Sequence, residues 1–350
     1  MDMVTEYFGR IPFSRKEGLP EGFETTPLAG LGALLPGPSL IHIEGKKEPP
    51  LFVSVLLHGN ETSGFLALQQ VLKPFAGTKN KPARSIFLFI GNVAASVKNR
   101  RRFAHEPDYN RIWNGGKLPE QRMAQRVLEL MKKNGVFACI DIHNNTGRNP
   151  HYGCINRITP EFVNLALLFS PTIVYFTEPH EVISKAFSRF CTSVTVECGL
   201  SGREEGTRHL VFFLEQCLGL EAIPVTPPEK PYSLYHTTAK ISLRNDVPFS
   251  FGKPEGNNGI TLVDNLDRLN FLQLEPGTLL GSTQLEESGI VATNNSNHDV
   301  TSRYLDFENG KILTARRFTP SMFTKNKTVI RQDCLGYIME HYHPGSLGTS

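Results

Sequence analysis

His58-Gly59-Asn60-Glu61 directly follows the apolar run 51–57. An imidazole and a carboxylate three positions apart, at the mouth of a buried strand, offer one nitrogen and one oxygen to a common point. Catalytic zinc takes three protein ligands and keeps its fourth position for water, so the pair raises the question of a third ligand and a base. His143 ends the run 137–142, 82 residues beyond Glu61, and Glu197 ends the run 194–196, another 54 residues on. Zinc lowers the pKa of a water it binds from about 15.7 to about 7. A neighbouring carboxylate can then take the proton during attack on a carbonyl and return it to a leaving amine. Glu197 suits that task, since it leaves a buried strand and precedes Cys198-Gly199, whose glycine permits a tight turn. Asp141, two residues before His143 on the same strand face, offers an acceptor for the imidazole's second N–H.

The elements that must position these residues follow from the pattern. Runs 51–57, 85–90, 137–142, 172–176 and 193–196 are strand-like, and residues 64–75, 118–133, 160–169 and 204–218 have helical spacing. Strands alternating with helices imply crossover connections, hence an α/β fold with a mostly parallel, mixed sheet covered by helices on both faces. Ligands of such sheets bind outside the carboxyl ends of the strands, where His58, Glu61, His143 and Glu197 all stand. Residues 1–50 read as a turn-rich lead-in with one or two edge strands. Four prolines in residues 223–231 cannot continue a helix or a central strand and mark a linker. The expected organisation is a catalytic domain over 1–222, this linker, and a smaller, mainly β domain over 232–350. Its short strands fall at 240–243, 259–263, 270–274, 278–280, 289–291 and 311–314, between turns such as 256–259, 276–277 and 308–310.

Composition narrows the class. With 39% apolar and 20% charged residues over 350 positions and a net charge of +3, the chain reads as a globular protein without a nucleic-acid footprint. The densest basic patch, Lys98 with Arg100, Arg101 and Arg102, has the composition of a solvated loop. Six cysteines without a C-x-x-C pair, and no apolar leader, point to a reducing cytoplasm. No run of 18 apolar residues suggests a membrane span.

The ordered segments His58-Gly59-Asn60-Glu61, Asp108-Tyr109-Asn110-Arg111-Ile112-Trp113, Asp141-Ile142-His143-Asn144 and Val196-Glu197-Cys198-Gly199 resemble the succinylglutamate desuccinylase/aspartoacylase family of zinc carboxypeptidase-like hydrolases. The resemblance covers residues 51–220, with Leu274-Glu275-Pro276-Gly277 as a weaker echo in the β domain. It implies one zinc per chain on His58, Glu61 and His143, with Glu197 as general base and acid. It further implies that Asn110 and Arg111 hold a substrate carboxylate, which a guanidinium fork matches bidentately. The family's carbonyl-polarising arginine falls nearest Arg102, with Arg100 and Arg101 as alternatives. Thr62 and Ser63 replace an arginine of aspartoacylases proper. The family's β-domain tyrosine has no counterpart in Ser321-Met322-Phe323-Thr324, leaving Tyr304, Tyr337 and Tyr342 as substitutes.

The expected activity is hydrolysis of the amide bond of a small anionic N-acyl amino acid. Competing readings are a zinc carboxypeptidase acting on short peptides and a catalytically silent binder of an anionic metabolite. A homo-oligomer is compatible with all three.

Overall fold

A computed structural model describes residues 3–254, 259–285 and 289–342. The chain divides into two compact units, residues 1–144 with 151–232, and residues 145–150 with 233–350. Among the described residues the first unit holds nine strands: β1 (Val4–Phe8), β2 (Ile11–Glu17), β3 (Ser39–Ile43), β4 (Leu51–Val55), β5 (Ile86–Ile90), β6 (Ala138–Asn145), β7 (Tyr152–Ile155), β8 (Thr172–Tyr175) and β9 (Thr192–Leu200). They lie in the order β1-β2-β3-β5-β4-β6-β9-β7-β8. β4 runs parallel to both β5 and β6, β3 is antiparallel to β5, and β7 is antiparallel to β9. The sheet is therefore mixed around a parallel centre.

That centre is buried on both faces, as its composition requires. Every residue of Leu51–Val55 and Ile86–Ile90 is buried, so these strands read as continuous apolar runs rather than alternating ones. Helix Pro119–Asn134 starts on a proline and turns Met123, Ala124, Val127 and Met131 inward, with Lys132 and Lys133 in its last turn. Phe89 is fully buried, edge-on to Trp113 at 5.5 Å and stacked at 6.5 Å from Phe52. Phe89→Ala should destabilise the protein by about 3–5 kcal/mol through lost contacts and a cavity. Urea unfolding would measure it, and a loss below about 1 kcal/mol would mean that the core closes around the gap.

Three sequence expectations change here. The lead-in contributes three strands rather than one or two. The run ending before His143 continues through it to Asn145, all eight residues buried. Residues 270–274 form no strand: Phe271 takes a left-handed φ of 59°, and only Leu274 bridges, to Phe318. Residues 256–258 of the expected 256–259 turn lie outside the described residues.

In the second unit, Ser233–Leu243 pairs antiparallel with Ile290–Asn294 and Gly336–His341. A separate five-stranded sheet is centred on Leu279–Thr283. Its core gathers Ile241, Leu262, Ile312, Phe318, Phe323 and Ile338. Tyr304 is buried, its hydroxyl 3.1 Å from both Thr238 Oγ1 and Glu340 Oε1. Among the described residues no helix is long and apolar enough to cross a membrane, and the six cysteines form no disulfide.

Candidate metal centre

The first strand of the site ends in an unusual bend. Leu56 is fully buried at φ 57°, a left-handed conformation that costs a side-chain-bearing residue about 1–2 kcal/mol. The bend leads into a turn closed by Glu61 N–H donating to His58 O at 3.1 Å. Gly59 lets a second loop approach: a Cβ there would meet Ser96 N at 2.4 Å and Arg100 O at 2.7 Å. Gly59 N–H instead donates to Arg101 O at 3.0 Å, which brings the basic loop against His58 and Glu61.

Glu61 then lies between two imidazoles. Its Oε1 is 2.7 Å from His58 Nδ1 and its Oε2 is 2.7 Å from His143 Nδ1. One ligand atom from each of the three residues falls within 4.8 Å of the others, and all three side chains are buried. Each ring turns its other nitrogen outward onto a carboxylate. His58 Nε2 is 3.0 Å from Asp108 Oδ1, and His143 Nε2 is 3.0 Å from Asp141 Oδ2. An outer acceptor that holds Nε2–H leaves Nδ1 as the inward donor. Two nitrogens and one carboxylate oxygen, oriented in this way, fit a divalent cation, with zinc the usual choice for such a set.

The neighbouring loop supplies further charge. Arg101 Nη2 donates to Asp108 Oδ2 at 3.1 Å, and Nη1 reaches Glu61 Oε1 at 3.5 Å. Asn110 N–H donates to Asp108 Oδ1 at 2.8 Å. The Asn110 side chain accepts from Ile183 N–H at 3.3 Å and sets Nδ2 3.2 Å from His143 Nε2. Arg111 donates to the carbonyl of Asn110 at 2.9 Å. Buried Tyr109, Ile112 and Trp113 anchor the segment in the core, which holds the intervening polar residues at the cluster.

Residues 47–200 match the family model described as the succinylglutamate desuccinylase/aspartoacylase catalytic domain. This places that segment in the desuccinylase/aspartoacylase family. No curated protein matches the chain in sequence. Among solved structures, the chain is similar to a succinylglutamate desuccinylase from Chromobacterium violaceum, with 16% identity, a TM-score of 0.55 and 85% of each chain covered. A succinylglutamate desuccinylase/aspartoacylase from Rhodobacter sphaeroides gives 14%, 0.52, and 86% of this chain against 88% of that one. A mutant of murine aminoacylase 3 gives 16%, 0.51, and 85% against 96%. At these identities the likeness carries the fold.

Within the desuccinylase/aspartoacylase domain, Glu197 is buried. Burial raises its carboxyl first, His143 pulls it back, and Glu61 and Asp141 push it up again, leaving it at about 7. For both imidazoles burial works downward. At His58, Arg101 adds to that effect, but Asp108 and Glu61 outweigh both and hold the ring above its ordinary value. Asp141 and Glu61 hold His143 well above it.

The structure separates the arginines of the basic patch: the Arg102 guanidinium donates within its own loop, to Glu106 O at 2.9 Å and Phe103 O at 3.4 Å. Arg101 is the arginine of this patch that reaches the cluster. Sequence reasoning also left Asp108 without a role, although it opens the segment that carries Asn110 and Arg111. Ser54 and Thr195 went unread as well, and the signal for Ser54 was a lone hydroxyl in an otherwise apolar strand. Asn144 is a fourth omission: its side chain accepts from Ser63 N–H at 3.1 Å and donates to Gly199 O at 3.0 Å. A cavity of about 900 Å³ lined by Arg15, His42, Phe87 and Leu130 shares no residue with the cluster.

Proposed function

We propose that this chain is a zinc-dependent amidohydrolase that removes the acyl group from a small N-acyl amino acid. The observation that carries the reading is the buried His58–Glu61–His143 donor set, with the raised carboxyl of Glu197 in its electrostatic reach. The chemistry is assigned to residues 1–222, ahead of a linker at 223–231 and a β domain at 232–350. The proposed compartment is the cytoplasm.

His58, Glu61 and His143 hold the ion, one per chain. Zinc in that place supplies Lewis-acid chemistry, polarising an amide carbonyl and acidifying water. Glu197 takes the proton from the attacking water and delivers it to the departing amine nitrogen, which turns a poor anionic leaving group into a neutral amine. Arg101, which reaches Glu61 Oε1 at 3.5 Å, is assigned to stabilise the oxyanion that develops on the carbonyl oxygen. Asn110 orients this side of the site, and Arg111 supplies the fork for a substrate carboxylate.

Arg111→Ala should raise KM by roughly 10–100-fold on substrates bearing the matching carboxylate, the scale of a lost charged hydrogen bond. It should leave substrates without that group nearly unchanged. Steady-state kinetics on such a pair would check this, and equal losses on both would remove the clamp from the account. The activity itself is tested by presenting zinc-loaded protein with N-succinyl amino acids, N-acetyl amino acids and short peptides. Release of free amino acid from the N-acyl compounds is expected. Turnover of peptides alone would convert the reading to a carboxypeptidase, and turnover of none would leave a silent binder.

A further inference from the structure

Beneath the proposed active row lies a second row of polar side chains on the same sheet face. Residues two apart on a strand share a face. Asp141 therefore sits one step below His143 on β6, and Thr195 one step below Glu197 on β9. β4, β6 and β9 are neighbours in that order, and Ser54 of β4 stands in direct register with Asp141. Asp141 is wholly shielded from solvent. Its Oδ1 accepts from Ser54 Oγ at 2.6 Å, and its Oδ2 accepts from Thr195 Oγ1 at 3.2 Å and from His143 Nε2 at 3.0 Å. Ser54 is fully buried and the lone polar residue of Leu51–Val55, and Thr195 is 6% exposed. The packing of these strands requires no hydroxyl at either place. The carboxylate between them does, because a buried acceptor short of donors is costly and free to turn.

We propose that Ser54 and Thr195 are positioning residues. Their hydroxyls, reaching in from the two flanking strands, lock Asp141 in the rotamer that takes His143 Nε2–H and turns Nδ1 toward Glu61, and so set how tightly the site holds its cation. The device is one-sided. The outer partner of His58, Asp108, is 17% exposed and is held on a loop by Arg101 and the Asn110 N–H. The inference rests on the zinc reading above and deepens it.

The test uses full-length protein stripped of metal, with zinc contested by a chromophoric chelator. Ser54→Ala and Thr195→Val should each weaken zinc binding by about tenfold, and the double variant by about 100-fold, the range found for lost outer partners. Ser54→Thr and Thr195→Ser keep the hydroxyls and should stay within about threefold of the parent. Activity lost by the first pair should return at excess zinc with KM unchanged, which a general loosening of the fold would not give. Thr195→Val is nearly isosteric and keeps the test alive if Ser54→Ala does not fold. Folded Thr195→Val and Ser54→Ala proteins that bind zinc as the parent does would overturn the inference alone. A parent that binds no zinc would overturn the zinc reading and this inference together.

Discussion

Glu197→Gln should lose about 10²–10⁴-fold in kcat while holding zinc as tightly as the parent, the range of a missing general acid–base. The amide keeps the shape and burial of the carboxyl and removes only its capacity to carry a proton. Retained zinc with lost turnover would separate a proton carrier from a ligand, whereas full activity would mean that another group does this work. The raised carboxyl has a second consequence that needs no zinc. The folded protein binds the Glu197 proton up to about 7, against an ordinary value of 4.5. The folded state then binds that proton more tightly than the unfolded chain, so this residue's contribution to stability falls as pH rises from 4.5 toward 7. Metal-free Glu197→Gln should therefore be more stable than the parent by about 1–3 kcal/mol at about pH 8 and no more stable near pH 4. Urea unfolding at the two pH values reads this directly, and a parent at least as stable as the variant at the higher pH would contradict it. A cation in the site pulls the carboxyl down again, so the acidic limb of kcat/KM should lie below about 7.

His143→Ala should abolish zinc binding in practice, with affinity falling by more than the roughly 100-fold expected for loss of an outer partner. The residue supplies one of three inward donors and is the one backed by the buried Asp141. In the metal-free protein the substitution also leaves Glu61 and Asp141 without their shared cation, at a cost of about 3–5 kcal/mol. The direction with pH follows from the raised His143 pKa. The stability it provides is complete below the ordinary imidazole value and is lost as pH rises through the raised one. The penalty of His143→Ala should thus be largest in mild acid and shrink in alkali. Zinc must displace the same protons, so affinity in the parent should rise with pH. Calorimetric titration of stripped parent and variant checks both statements; a variant that binds zinc normally would remove His143 from the ligand set.

How much of this was legible in the sequence differs by residue. His58 and Glu61 stood out because an apolar strand breaks off at them, and burial of Leu51–Val55 explains why it does. His143 was found for the same reason, yet its strand does not end there. Asp141-Ile142-His143-Asn144-Asn145 is polar in composition and buried throughout, and a polar strand looks like a loop until its neighbours are known. The choice between Arg101 and Arg102 could not be read from spacing. It depends on how closely one loop backbone approaches another at Gly59, which is a property of two segments together. The Ser54–Asp141–Thr195 row has the same character, since it exists only once β4, β6 and β9 lie side by side. β7 escaped notice because four residues are too few to show a period, and because it runs against its neighbour β9 in a stretch between the run ending at 142 and the helical spacing of 160–169 to which no element was assigned.

The most direct measurement is amino-acid release from the best N-acyl substrate as stripped protein is titrated with zinc. Turnover should be absent without metal, rise linearly, and level off at one equivalent per chain. Release that proceeds unchanged in the stripped protein, or that never appears after an equivalent of zinc has bound, would contradict the assignment of this site as a zinc deacylase.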